Sequence, residues 1–138
     1  MNQQTPLESG ALNQARAQLT FEMRDFFDAL YAGADESDLA APELALIAER
    51  ARARLLEAPP HVTLTDCGRF SLLIAVNDDR PFLFDSAVAA ALAGGAHLRN
   101  VFHPILEQGG KQLSLIVFVI DPPADAAART RLTAMLEE

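Results

Sequence analysis

Two stretches of this chain are apolar on both of their faces: "RFSLLIAVN", from Arg69 to Asn77, and "QLSLIVFVID", from Gln112 to Asp121. Successive side chains of a strand point to opposite sides, so a strand with one wet face alternates apolar and polar residues. These two do not alternate, and they read as interior strands of a sheet covered on both sides. A fold built around them needs a layer on each face. One layer can come from the helices that follow them in the chain. The other can come from the N-terminal segment or from a second copy of the protein, in a symmetric dimer through a sheet face.

The segments around these strands supply the rest of an α+β pattern. "HVTLTD" alternates, "CG" reads as a turn, and with "RFSLLIAVN" they make a hairpin. A helix is expected from about Pro81 to Ala93, with Phe82, Leu83, Val88 and Leu92 as apolar contacts and Gly94-Gly95 as its stop. "HLRNVFHPILE" returns as a strand in which Pro104 can donate no ladder hydrogen bond, placing it at an edge or at a bulge. "QGGK" is a hairpin turn before the second apolar run, and a last helix starts near Ala124. Helices on an antiparallel sheet are the expected architecture.

Upstream, Leu12, Ala15, Leu19, Met23, Phe26, Phe27 and Leu30 recur at helical spacing, predicting one helix that ends near Gly33. After the acidic linker "GADESDLAAPE", Pro42 opens a second helix carrying Leu44, Ile47, Ala48, Ala51 and Leu55, which Pro59-Pro60 stops. The expected organisation is a flexible leader over 1–10, an N-terminal helical pair over 11–60 and an α+β domain over 61–138.

Charge and cysteine usage exclude several classes. A net charge of -8 with scattered basic residues repels a phosphate backbone, so nucleic acid is not an expected partner. Cys67 is the only cysteine, which rules out an internal disulfide and a multi-thiolate metal site within one chain and fits a reducing cytoplasm. With Arg69 as its nearest basic neighbour, it reads as a non-catalytic thiol. "MNQQTPLESG" has no signal-peptide pattern, and no apolar run reaches the roughly 20 residues that span a bilayer. A membrane is therefore not expected as a partner either.

Chemistry-bearing residues concentrate in "NDDRPFLFDS". Asp78, Asp79 and Asp85 lie close to a helix start, where a carboxylate gains about 0.3–1 kcal/mol from unpaired N–H groups and the helix dipole. Other readings are a ligand or partner contact through the Asp79-Arg80 turn, and metal binding or acid–base catalysis. His103, between Phe102 and Pro104, is either a hydrogen-bonded strand histidine or a ligand contact; one imidazole without a second His or Cys makes a poor metal site. His61 and His97 flank strands and look incidental. Ser71, Ser86 and Ser114 have no nucleophile-elbow context.

"DRPFLFDSAVAAALAGGAHLRNV" resembles the signature of ACT domains, small ligand-binding regulatory modules with a ferredoxin-like antiparallel sheet packed with helices. "VNDDRPFLFDSAVAAALAGGAHLRNVFHPIL" and "FFDALYAGADESDLA" are more closely similar to the N-terminal region of the very large bacterial NAD-specific glutamate dehydrogenases, and the likeness runs from about Phe21 to Asp121. The resemblance implies a non-catalytic, ACT-like regulatory or assembly domain preceded by two N-terminal helices. Its parent would oxidise L-glutamate with NAD to 2-oxoglutarate, ammonium and NADH. The remainder of that dehydrogenase would be the partner, an amino acid the possible effector, and Asp79, Arg80, Phe82 and His103 the contact residues. The alternative is a free-standing ACT-like module binding a small molecule, such as an amino acid, at a dimer interface. No cofactor is expected in this chain itself: it shows no Gly-x-Gly-x-x-Gly after a strand, and Lys111 is its only lysine. It departs from the ACT pattern in having Phe82 where glycine follows the turn proline, and in lacking a closing strand after the last helix. "HVTLTD" is the candidate to replace that strand.

Overall fold

The computed structural model describes residues 10–32, 39–57, 59–79 and 83–137. They fall into two compact units, one ending at Arg54 and the other beginning at Leu55.

The first unit holds three helices: α1 (Leu12–Ala17), α2 (Phe21–Leu30) and α3 (Ala41–Arg54). The single helix expected from Leu12 to Leu30 is broken at Gln18–Thr20. Thr20 adopts an extended conformation, with φ -64° and ψ 159°, and its Oγ1 accepts a hydrogen bond from the Met23 amide at 3.4 Å. Glu22 in the first turn adds a favourable charge at the positive end of α2. The apolar spacing carries across the break, which is why periodicity alone reads one helix there. Arg16 clasps Asp28 across the bend at 2.8 Å and 3.1 Å. Helix α3 packs against both α1 and α2. Inside this unit the buried Tyr31 hydroxyl donates to the Leu44 carbonyl at 2.8 Å, and the Tyr31 ring meets Phe27 edge-on.

The second unit is α+β. Its strands are β1 (His61–Asp66), β2 (Ser71–Asp78), β3 (Leu98–Phe102), β4 (Ile105–Gln108) and β5 (Lys111–Ile120), with α4 (Leu83–Ala93) and α5 (Ala126–Glu137). All pairings are antiparallel, in the order β1-β2-β5-β3, with β4 also on β5. This is an open, ACT-like, ferredoxin-like sheet, with one change in chain order. The place beside β2, taken in the ACT pattern by a strand after the last helix, is taken here by β1, which precedes β2 in the chain. "HVTLTD" thus occupies the sheet position beside β2 that it was the candidate to fill.

The two apolar runs are the inner strands. Every residue of β5 from Leu113 to Ile120 is buried, as are Leu72, Leu73, Ile74 and Val76 of β2. Leu73, Ile116, Phe118 and Ile120 face α4 and α5, where Ala91 and Leu132 complete the core. Gly94, just past α4, lets the helices meet: a Cβ there would sit 3.0 Å from Leu132 Cδ2. Gly109 and Gly110 both have positive φ, +61° and +81°, as the two-residue turn joining Gln108 to Lys111 demands.

Pro104 lies on the outer strand, as its missing N–H requires, and divides that strand into β3 and β4. It causes no bulge. Phe102 opposite Val117 and Ile105 opposite Ser114 keep one register across the interruption, and the Pro104 carbonyl still accepts from the Leu115 amide at 3.1 Å. The register shift falls earlier, between Leu98 and Asn100.

A polar corner ties β1 to the unit. Arg129 on α5 donates to Asp66 Oδ1 at 2.7 Å and to the Leu64 carbonyl at 3.1 Å, while the buried Ser71 hydroxyl donates to the same carboxylate at 2.8 Å. The Ser71 and Arg129 hydrogen bonds hold the Asp66 carboxyl below its ordinary range. At the start of α5, Asp125 Oδ1 accepts from the Ala128 amide at 2.9 Å, so the helix begins at Ala126, two residues later than expected.

Phe118 is fully buried where β5 meets the helices. Phe118→Ala is expected to lower unfolding stability by about 3–5 kcal/mol in chemical denaturation, through lost burial and the cavity left behind. A loss below about 1 kcal/mol would mean that this face of β5 is not the core.

Candidate functional site

The segment between β2 and α4 separates the three aspartates of "NDDRPFLFDS". Asp78 is the last residue of β2, and its amide donates to its neighbour, Asn77 Oδ1, at 2.8 Å. Asp79 extends the β2–β5 ladder by donating its amide to the Gln112 carbonyl at 3.0 Å. Asp85 stands in the first turn of α4, where a carboxylate interacts favourably with the helix dipole. Arg80 and Phe82, two of the expected contact residues, lie outside the described residues.

His103 sits between β3 and β4, half-buried, against three neighbours. Its Nε2 is 2.5 Å from Ser114 Oγ, with the donor set by the imidazole tautomer. Its ring stacks on Phe84, with centroids 4.6 Å apart and planes 4° from parallel. Burial pushes the imidazole below its ordinary value, and the negative charge of Asp79 acts in the opposite direction. Asp79 and His103 are thus coupled electrostatically, although 24 positions separate them in the sequence.

The Ser114–His103 pair resembles a catalytic dyad only in residue type. Ser114 lies inside an unbroken ladder of β5, buried, with Asn77 as its Cα partner on β2. A nucleophile needs a hydroxyl presented at a sharp turn with donors arranged around a reacting carbonyl. Ser114 instead occupies a flat strand. Its hydroxyl is a polar feature on the helix-facing side of the sheet.

That side also holds a cavity of about 840 Å³. Its floor is two successive rungs of the sheet: Asn77 opposite Ser114, then Val62, Ala75 and Ile116 aligned across three strands. Leu83, Ala87 and Ala90 of α4 form one wall at helical spacing, and Met135 and Leu136 of α5 form another. Ser86 lies at an exposed position on the lining. The size falls within the range of small-molecule sites, and the lining surface is polar and apolar in about equal measure, with His61, Asn77, Ser86 and Ser114 among the apolar side chains. His103 does not line the cavity but holds Ser114, which does.

Of the expected site residues, His103 and Asp79 are brought into one electrostatic neighbourhood. Asn77, Phe84, Ser114 and the alanines of α4 were not anticipated. Their signals in the sequence are a serine interrupting an apolar strand and the small-residue run "SAVAAALA". Cys67 sits half-buried in the β1–β2 turn, outside the cavity lining. Among the described residues there is no group of three or more His, Cys, Asp or Glu that could hold a metal ion, and no helix long and apolar enough to cross a membrane.

The chain matches no family model and no curated protein.

The His103 environment gives a pH dependence with a definite sign. Its folded-state pKa lies below the ordinary 6.5, so the neutral ring contributes stability that is present above about pH 6.5 and lost as pH falls through the folded value. In an NMR titration the His103 imidazole is expected to titrate below the ordinary value of 6.5, and Asp79→Asn to move it lower still. A His103 value above 6.5, or one unmoved by Asp79→Asn, would contradict this geometry.

Proposed function

We propose that this chain is a non-catalytic, ligand-sensing regulatory domain, and that it serves an NAD-dependent glutamate dehydrogenase of the large bacterial type. The observation that carries the sensing role is the cavity beneath α4 and α5 on an ACT-like sheet, sized for a small molecule and bordered by the end of β2 that carries the resemblance. Support for the parent comes from the combination of "VNDDRPFLFDS" with "HP" at His103-Pro104, between β3 and β4, together with the N-terminal "FFDALYAGADESDLA".

A regulatory domain acts by having different interaction free energies with two states of its parent. Here the elements that would carry the difference are α4 and α5. They bound the cavity on one side and pack on the buried sheet on the other, so a bound molecule would bias their position relative to β2 and β5. NAD and glutamate would bind elsewhere in the parent. The residues named at this site would hold an effector and perform no chemistry on it.

The reading is tested by precipitating the native protein from source-cell extract with an antibody raised against this domain. Glutamate-dependent formation of NADH is expected in the precipitate, with none from the recombinant 138-residue chain. A precipitate that contains the antigen but lacks the activity would overturn the assignment to a dehydrogenase.

A further inference from the structure

His103 reaches both the floor and a wall of the cavity from outside it. Its Nε2 holds the Ser114 hydroxyl, which lines the floor, and its ring lies flat on Phe84, the residue after Leu83 of the α4 wall. Charge acts on this ring from the end of β2, where the Asp79 carboxylate favours the protonated form. Among the described residues, the other charged side chains on the elements around it are Asp78 on β2, Asp85 on α4, Arg99 on β3, Glu107 on β4 and Lys111 on β5. Arg99 is directed to Asp121 at the far end of the sheet, and the other four stand at exposed positions.

The hydroxyl between ring and floor has one proton to give. A neutral imidazole has one nitrogen that donates and one that accepts, whereas a protonated imidazole has two donors. Opposite Ser114 on the same rung stands Asn77, whose Oδ1 is taken by the Asp78 amide, so its NH2 group is what remains to face the rung. With a donor opposite it, Ser114 is best satisfied by giving its own proton to His103, which makes Nε2 the accepting nitrogen of the neutral ring. Protonation reverses the contact. A proton taken from solvent then sits on Nε2, Nε2–H donates to Ser114 Oγ, and the hydroxyl proton must turn elsewhere. The cavity is the space that Ser114 lines. Phe84 accommodates the change, because a cation on an aromatic face is itself attracted.

We infer that His103 is a proton-operated switch on this cavity: while neutral it draws the Ser114 proton away from the floor, and once protonated it frees that proton to donate into the cavity. As pH falls, the floor changes from accepting to donating at one atom, Ser114 Oγ, and the ligand group it suits changes with it. The switch deepens the ligand-sensing reading, on which its regulatory meaning rests, by naming the residue through which pH acts on the site.

The test is a pH titration of the full 138-residue chain labelled with ¹³C and ¹⁵N, following the imidazole nitrogens, the Ser114 Cβ and amide, and the Asn77 side-chain NH2 group. Above the His103 midpoint, Nε2 is expected to show the shift of an unprotonated nitrogen. The Ser114 and Asn77 signals are expected to move through one transition at that same midpoint. In His103→Phe, which keeps an aromatic ring against Phe84, the transition is expected to be lost. Asp79→Asn alters an exposed residue and is expected to carry the His103 and Ser114 midpoints to lower pH together. Unchanged amide signals from Val117 to Ile120 verify that each variant is folded. A protonated Nε2 in the neutral ring overturns the switch, as does a Ser114 signal that does not follow His103. So does a Ser114 transition that survives in folded His103→Phe, or one that stays in place while Asp79→Asn moves His103. The titration uses no effector and no parent enzyme, so its failure is distinct from an absence of NADH formation in the precipitate.

Discussion

Strand β5 is the constraint on which the rest of the second unit depends. From Leu113 to Ile120 its side chains are buried on both faces, and it pairs with β2 on one side and with β3 and β4 on the other. Its backbone groups are therefore committed to ladders, and its side chains to burial on both faces. A slip by one residue would exchange the two faces, placing Ser114 where Leu113 or Leu115 now sits. The register is consequently the point at which core and site are set together. The same pairing that puts Phe118 opposite Leu73 puts Ser114 opposite Asn77.

From that register the candidate site follows by geometry. The helix-facing side is apolar toward the Ile120 end of β5, where Ala91 and Leu132 close the core. It becomes polar at the Asn77–Ser114 rung, where α4 presents Ala87 and Ala90 instead of large side chains. The helices are held over a floor they do not fill. His103 and Phe84 brace the polar end from the outer strand and from α4, and Asp79 acts on His103 from the end of β2. A change in the charge of His103 would act first on the contact that positions Ser114.

Much of this architecture is legible in the residues. Two strands without alternation require a two-faced sheet, Gly109-Gly110 marks the tight turn, and Pro104 consigns its strand to the edge. What local patterns do not carry is pairing. The bulge between Leu98 and Asn100 depends on how β3 meets β5, and the use of β1 as a substitute closing strand depends on a free edge of β2 that only the assembled sheet defines. Thr20 shows a local signal masked by a longer one, because the apolar stripe continues through the break it caps. The cavity was hidden for a different reason. Alanine in a helix reads as helix propensity, whereas at Ala87 and Ala90 its consequence is missing volume, which appears only once floor and walls are assembled.

The proposed role is that of a domain within a larger enzyme, so the size of the native polypeptide tests the account most directly. Blotting source-cell extract with an antibody to this domain should reveal a band far larger than 14.9 kDa, that of a multidomain dehydrogenase. A single band near 14.9 kDa would contradict the account and leave a free-standing module in its place.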